Sequence, residues 1–153
     1  MKISGIQISD SKENVLAVSL HDVLEEISNG INLYWSILFI DGVIKPKEDL
    51  VFSELEININ HSKNGLLIKW NDLLKLSNKF FQTYETIVLA SKNINVLHRY
   101  SNDREMHNEC DIVIELVDCA FWNIYSHDQE LIDKLMRKFK TVKVIESEAI
   151  AEN

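Results

Sequence analysis

The feature that most constrains the fold is a nearly unbroken apolar run, LYWSILFI, at Leu33–Ile40. Strands that are covered on both faces read as continuous apolar stretches, because neither face meets water. The run therefore predicts a central strand of a sheet. A second run, DIVIELV at Asp111–Val117, predicts another apolar strand, and Ala120–Tyr125 is its expected antiparallel neighbour.

Weaker patterns predict the remaining elements. Alternation and helical spacing predict strands at 6–9, 43–44, 53–60, 66–69, 85–90 and 141–145, and helices at 13–29, 70–81 and 128–139. Asp41-Gly42 is typical of a type I′ hairpin turn, and Ser126 with Gln129 is typical of a capping box. The order predicts an α+β fold, with a mixed or mainly antiparallel sheet and about three helices packed on one face.

Length and composition predict one domain over residues 1–153. A chain of 153 residues with four Gly and one Pro needs no linker, disulfide or metal to bury a core. Residues 92–109 are polar and are expected to form an irregular loop. Residues 146–153 are expected to form a frayed tail.

The negative charge is concentrated at the start of the chain. The first sixty residues contain ten acidic and four basic side chains, and the whole chain has a net charge of −8. This balance argues against binding to nucleic acid or to an anionic membrane, since both are polyanions. A basic run at 134–143 lies mostly in the last turns of a predicted helix, where cations complement the helix dipole.

The chain starts with no signal-peptide pattern and contains no apolar stretch of membrane-spanning length. We therefore expect a cytoplasmic protein in which Cys110 and Cys119 are reduced.

No motif predicts catalysis, a cofactor or a metal. His107 and Cys110 have the spacing of half a zinc site, but the other half is missing. Carboxylates next to Cys110 and Cys119 disfavour a reactive thiolate. The glycines are isolated and form no phosphate-binding loop.

The acidic residues instead predict a partner-binding surface. Asp22, Glu25 and Glu26 are expected on one side of helix 13–29, and Glu54 and Glu56 on the wet face of strand 53–60. Such surfaces speed association with a basic partner. In strand 120–125 either Trp122 or Phe121 faces outward, and an exposed Trp122 would anchor an interface.

The stretch DIVIELVDCAFWNIYSHDQELIDKLMRKF, residues 111–139, resembles a module of small bacterial proteins. In overall character the chain resembles the immunity proteins of bacterial toxin–immunity systems, including those of contact-dependent growth inhibition. The resemblance implies a small, acidic, non-enzymatic α/β protein that binds a cognate toxin, here a basic, nuclease-type domain. It carries over no individual binding residue.

Two other functions stay open. A structural or adaptor subunit would expose an apolar patch along strands 111–125 and could form a homodimer. An enzyme of unfamiliar type would need a pocket lined by the 92–109 segment, with His98 and His107 as candidate residues.

Overall fold

The centre of the fold is a seven-stranded antiparallel sheet, seen in a computed structural model that describes residues 4–145. The strands are β1 (Ser4–Ile8), β2 (Ser11–Lys12), β3 (Val15–Leu16), β4 (Tyr34–Ile44), β5 (Leu66–Ile68), β6 (Phe80–Ser91), β7 (Ile112–Val117), β8 (Phe121–Ser126) and β9 (Val142–Ile145). The helices are α1 (Leu20–Leu24), α2 (Phe52–His61), α3 (Trp70–Ser77), α4 (Asp103–Glu109) and α5 (Gln129–Lys138). The expected tail at 146–153 lies outside the described residues.

The sheet order is β5-β4-β6-β7-β8-β1-β9, and β2 pairs with β3 in a separate ribbon. All neighbouring strands run antiparallel. This confirms the predicted α+β class with a mainly antiparallel sheet, although residues 4–145 form five helices rather than about three. The longest of these helices has ten residues, so no helix in the described range could cross a membrane.

Two apolar cores lie on opposite faces of the sheet. The main core joins one face to α1, α2, α3 and α5, while a smaller core on the other face includes Leu89 and Val113. Met106 of α4 and Leu97 cover this second face, so the expectation that the helices share one face is wrong. β4 contributes Trp35 to the main core and Leu38 to the second core, so the LYWSILFI run does form a strand covered on both faces.

The segment 92–109 is not an irregular loop throughout. It contains a 3-10 turn at Ile94–Val96 and the helix α4, whose N-cap Asn102 accepts a hydrogen bond from the backbone of Glu105. Leu97 and Met106 are 1% and 3% exposed. Val96 and Tyr100 of the same segment are partly buried and pack against this second core as well.

The predicted helix 13–29 is wrong at its start. Residues 11–16 form the β2–β3 ribbon, whose turn places Glu13 and Asn14 at positive φ. The helix α1 begins only after Ser19, whose side chain and backbone make a reciprocal capping box with Asp22.

The predicted strand 53–60 is a helix. Leu55 and Ile59 are buried, and their i, i+4 spacing places them on one helical face, whereas Ile57 is 53% exposed. Alternating apolar residues thus also satisfied a helical period. Glu54 and Glu56 therefore do not share one face of a strand.

Other boundaries shift by several residues. β4 continues through Asp41-Gly42 instead of turning there, and its register with β6 shifts near this point. A Cβ on Gly42 would lie 2.4 Å from the carbonyl oxygen of Gln82, so glycine permits the close approach of β6. α3 ends at Ser77, and β6 already begins at Phe80.

At the start of α5 the N-cap is Asp128, not Ser126. The Asp128 carboxylate accepts a hydrogen bond from the backbone of Glu130. The Ser126 hydroxyl accepts from the Asp128 backbone instead.

Arg99 joins the segment 92–109 to α2 and β4. Its Nη1 donates to the carbonyl of Leu38 and its Nη2 to the carbonyl of Ile59, each at 2.8 Å. The Ile59 carbonyl lies in the last turn of α2, where a cation is favourable, and it also accepts a hydrogen bond from the backbone of Ser62 at 3.2 Å. One side chain thus joins three elements.

We predict that Arg99→Met lowers the free energy of unfolding by about 1–3 kcal/mol, because two carbonyls lose a charged donor. The exposed Arg137→Met is the matched control and should change stability by less than about 0.5 kcal/mol. Urea unfolding followed by circular dichroism measures both. Equal stability of the two variants would show that the Arg99 contacts contribute nothing.

Candidate functional site

An apolar groove lies at the edge of the sheet where β5 is the last strand. Its volume is about 520 Å³, and Ile31, Leu33, Tyr34, Trp35, Leu67, Ile68, Lys69, Trp70, Asn71 and Ile94 line it. Four of these side chains are largely open to solvent: Ile31 at 69%, Tyr34 at 51%, Leu67 at 49% and Ile94 at 40%. We call this feature the apolar groove.

Two stacked tryptophans form part of the groove wall. The rings of Trp35 and Trp70 have centroids 4.9 Å apart, and the Nε1 of Trp35 donates to the Gly30 carbonyl at 2.9 Å. Trp35 is 1% exposed, whereas Trp70 is half-buried and accessible. A Cβ on Gly30 would lie 2.3 Å from the Trp70 ring, so only glycine lets the backbone lie against that ring.

The edge position of the groove follows from the short strand β5. β5 pairs with β4 through Trp35–Ile68, Ser36–Leu67 and Ile37–Leu66. The turn before it is held by the Ser36 hydroxyl, which donates to the Asn64 carbonyl at 2.7 Å, and by Gly65 at φ +78°. The predicted turn and return strand are therefore confirmed, but the partner is β4 and not residues 53–60.

The groove has the features of a protein-binding surface. Contiguous exposed apolar side chains are uncommon on monomeric proteins and mark interaction sites. Half-buried aromatic residues beside an apolar groove are typical anchors or anchor pockets. Of the residues that line the groove only Lys69 is charged, so the wall offers shape and apolar contact rather than acid–base chemistry.

The predicted acidic residues Asp22, Glu25 and Glu26, of which only Asp22 lies within α1, are close to cations of α5. The Nζ of Lys138 is 3.0 Å from Glu26 Oε2 and 3.7 Å from Glu25 Oε2, and it donates to the carbonyl of Asp22 at 2.9 Å. Lys134 donates to the carbonyl of Glu26 at 3.0 Å. Lys138 therefore compensates part of the charge of this acidic cluster within the molecule.

Glu54 and Glu56 lie on the separate helix α2, which packs against β4. Glu54 is exposed and Glu56 is half-buried. Neither carboxylate forms an ion pair with another side chain between residues 4 and 145. Their charge stays available to a partner.

Trp122 cannot serve as an exposed anchor. Its side chain is 0% exposed in the main core, and its Nε1 donates to the Val18 carbonyl at 2.8 Å. The neighbouring Phe121 takes the outward position and is half-buried. The alternation of the strand left this choice open, and the hydrogen bond to Val18 explains the outcome.

Both histidines of the segment 92–109 pack against tyrosines. The rings of His107 and Tyr125 have centroids 3.6 Å apart, and those of His98 and Tyr100 4.0 Å apart. His107 Nε2 also lies 3.3 Å from Glu115 Oε2. Within residues 4–145 no cluster of His, Cys, Asp and Glu has the geometry of a metal site.

Neither cysteine is an activated nucleophile. Burial raises the pKa of the Cys110 thiol to about 11. Partial burial and the carboxylates of Asp118, Glu85 and Asp41 also raise the pKa of the Cys119 thiol. Both thiols are protonated at neutral pH.

The groove was missed at the level of sequence because its walls come from three separate stretches of the chain, 31–35, 67–71 and Ile94. Ile31, Tyr34, Leu67 and Ile94 become neighbours only through sheet pairing. A usable signal was the position of Ile31 and Ile94, which are single apolar residues among asparagines.

Comparison with known proteins adds little. No family model matches the chain, and no solved structure matches it. Midasin of Dictyostelium discoideum is 30% identical over an alignment of 120 residues that covers 72% of this chain. The chain spans 2% of the length of midasin, so this similarity assigns neither a family nor an activity.

We predict that Gly30→Ala moves Trp70 away from Trp35, because the added methyl group overlaps the Trp70 ring. The variant should lose about 1–3 kcal/mol of stability and show stronger quenching of tryptophan fluorescence by acrylamide. The exposed neighbour substitution Ser28→Ala is the control. Unchanged quenching in Gly30→Ala would contradict the observed contact.

We predict that Cys110, studied in a Cys119→Ser background, reacts slowly with Ellman's reagent. A pKa raised from 9.0 to about 11 lowers the thiolate fraction at pH 8 by about 100-fold. The pKa of Cys110 is higher in the folded protein than in the unfolded chain, so the folded protein holds the thiol proton more tightly. The stability that this protonated thiol contributes is therefore fully present below pH 9 and is lost as the pH rises through about 11. Rapid labelling of native protein at pH 8, at the rate seen in urea, would refute this assignment.

Proposed function

We propose that this protein is a protein-binding inhibitor of the immunity type, and that it binds its partner through the apolar groove. The observation that most directly supports this proposal is that four largely exposed apolar side chains surround one groove beside the half-buried Trp70. Burying apolar surface of this kind is the main source of affinity in protein association.

The chain's resemblance to immunity proteins supports the choice of partner class. A cognate toxin domain with a basic surface would be attracted by the net charge of −8. Glu54 and Glu56 on α2, which have no internal cation within the described residues, are candidates for contacts at the rim. The carboxylates of Glu25 and Glu26, just after α1, would contribute less, because Lys138 already neutralises part of their charge.

An adaptor role through self-association is the second candidate, and the same groove favours it. A second copy could bury Leu67 and Tyr34 at the β5 edge. The patch expected along strands 111–125 is a weaker site, because Ile112, Ile114 and Trp122 lie in the main core. Light scattering during dilution separates the two roles, since only self-association makes the mass depend on concentration.

We predict that Leu67→Asp abolishes capture of the partner, because a charge in the groove opposes burial of an apolar side chain. Val144→Asp is the matched control, since Val144 is an exposed apolar residue (58%) on the described edge strand β9. Tagged wild type and both variants are used for affinity purification from the source cells, followed by mass spectrometry.

The protein that wild type and Val144→Asp retain but Leu67→Asp loses is then expressed alone. It should arrest growth, and co-expression of wild type should relieve the arrest whereas Leu67→Asp should not. A partner that Leu67→Asp still binds would exclude the groove as the interface, and a harmless partner would exclude an immunity role.

A further inference from the structure

Two polar depressions lie beside the apolar groove along one end of the sheet. Leu33 lines both the groove and a recess of about 200 Å³, formed where β6 and β8 end and where β4 and β7 begin. Asn29 and Asp128 are shared between this recess and a smaller one of about 50 Å³ beside α5. We call these two depressions together the polar recess.

The polar recess differs from the groove in charge. The charged groups that line it are the carboxylates of Glu26, Asp111, Asp128 and Glu130 and the ammonium groups of Lys92 and Lys134. Carboxylates therefore exceed ammonium groups by two, whereas the groove contains the single cation Lys69. The groove is therefore apolar with one cation, whereas the neighbouring polar recess is acidic.

Three of these carboxylates, those of Asp111, Asp128 and Glu130, make no ion pair with a lysine or arginine of the described residues. Asp111 accepts a hydrogen bond from the backbone of Lys92 at 2.7 Å, and Asp128 accepts from the backbone of Glu130 at 3.0 Å. Such backbone donors orient a carboxylate without neutralising it. No lysine or arginine in the described part of the chain forms an ion pair with Asp111, Asp128 or Glu130, and the imidazole of His127 stays 3.9 Å from Asp111.

From this charge pattern we infer that the partner segment carries a large apolar side chain for the groove and, beside it, lysine or arginine for the polar recess. The inference rests on the proposed function and specifies the chemistry of its partner. Opposite charges at an interface fix orientation and raise the association rate. A second copy of this chain fits less well, because each copy has a net charge of −8.

A random-peptide phage library panned on the full chain tests this assignment, with counter-selection on Leu67→Asp to remove peptides that bind elsewhere. The enriched peptides should combine Leu, Phe or Trp with an excess of Lys and Arg. Synthetic versions are then titrated by anisotropy at low and high NaCl, since ion pairs at the recess should weaken with salt.

The variant Asp128→Asn/Glu130→Gln should bind these peptides about 10-fold more weakly and with less salt dependence, since two exposed ion pairs are lost. Asparagine keeps the N-cap role of Asp128, so α5 should remain intact. Glu48→Gln/Asp49→Asn is the matched control and should bind as wild type does, because both carboxylates are exposed and neither residue lines the groove or the recess.

The outcomes separate the two proposals. Peptides that depend on Leu67 but carry no excess of basic residues, or that bind Asp128→Asn/Glu130→Gln unchanged, overturn the inference and leave the groove as the interface. A library that yields no Leu67-dependent peptide overturns the proposed function as well. A dimer that Leu67→Asp dissociates identifies the occupant as a second copy and also overturns the inference.

Discussion

Burial of the central strands on both faces is the constraint on which the rest of the fold depends. Leu89 and Val113 are 0% exposed on the second face, while Val88 and Ile114 are 0% exposed on the first. Full burial of each such side chain is worth roughly 1.5–3 kcal/mol. The sheet therefore needs a layer on each side, and the polar segment 92–109 supplies the second one although it contains few apolar residues. Its docking therefore depends on the apolar face of the sheet together with Leu97, Met106 and the hydrogen bonds of Arg99.

The distribution of charge along the chain does not describe the charge of the surface. The acidic start of the chain is partly neutralised by Lys138, which meets Glu25 and Glu26 after more than a hundred intervening residues. The acidic groups left without a cation include Asp128 and Glu130, which come from the nearly balanced part of the sequence. A charge-based argument about partners therefore has to start from contacts, not from counts.

Elements with one dominant local pattern could be predicted from the sequence. β7, β8, α5 and β9 appear within a residue or two of their expected bounds because their apolar residues fit a single period. α2 could not be predicted because Leu55 and Ile59 fit both a strand and a helix, and only their burial against the core selects the helix. For the apolar groove the sequence offered only two isolated apolar residues, Ile31 and Ile94, since the walls of the groove depend on sheet order. Sheet order is a property of tertiary packing and not of local sequence.

The length of β5 indicates how the groove would hold a partner. A strand of three residues offers few backbone groups to an added strand, and short edge strands discourage open-ended pairing. Affinity at this edge must then come mainly from side chains that enter the groove beside Trp70, rather than from main-chain hydrogen bonds. Such binding depends on the shape of the groove, which Gly30 sets by admitting the Trp70 ring. The same glycine therefore links the packing of the core to the selectivity of the proposed interface.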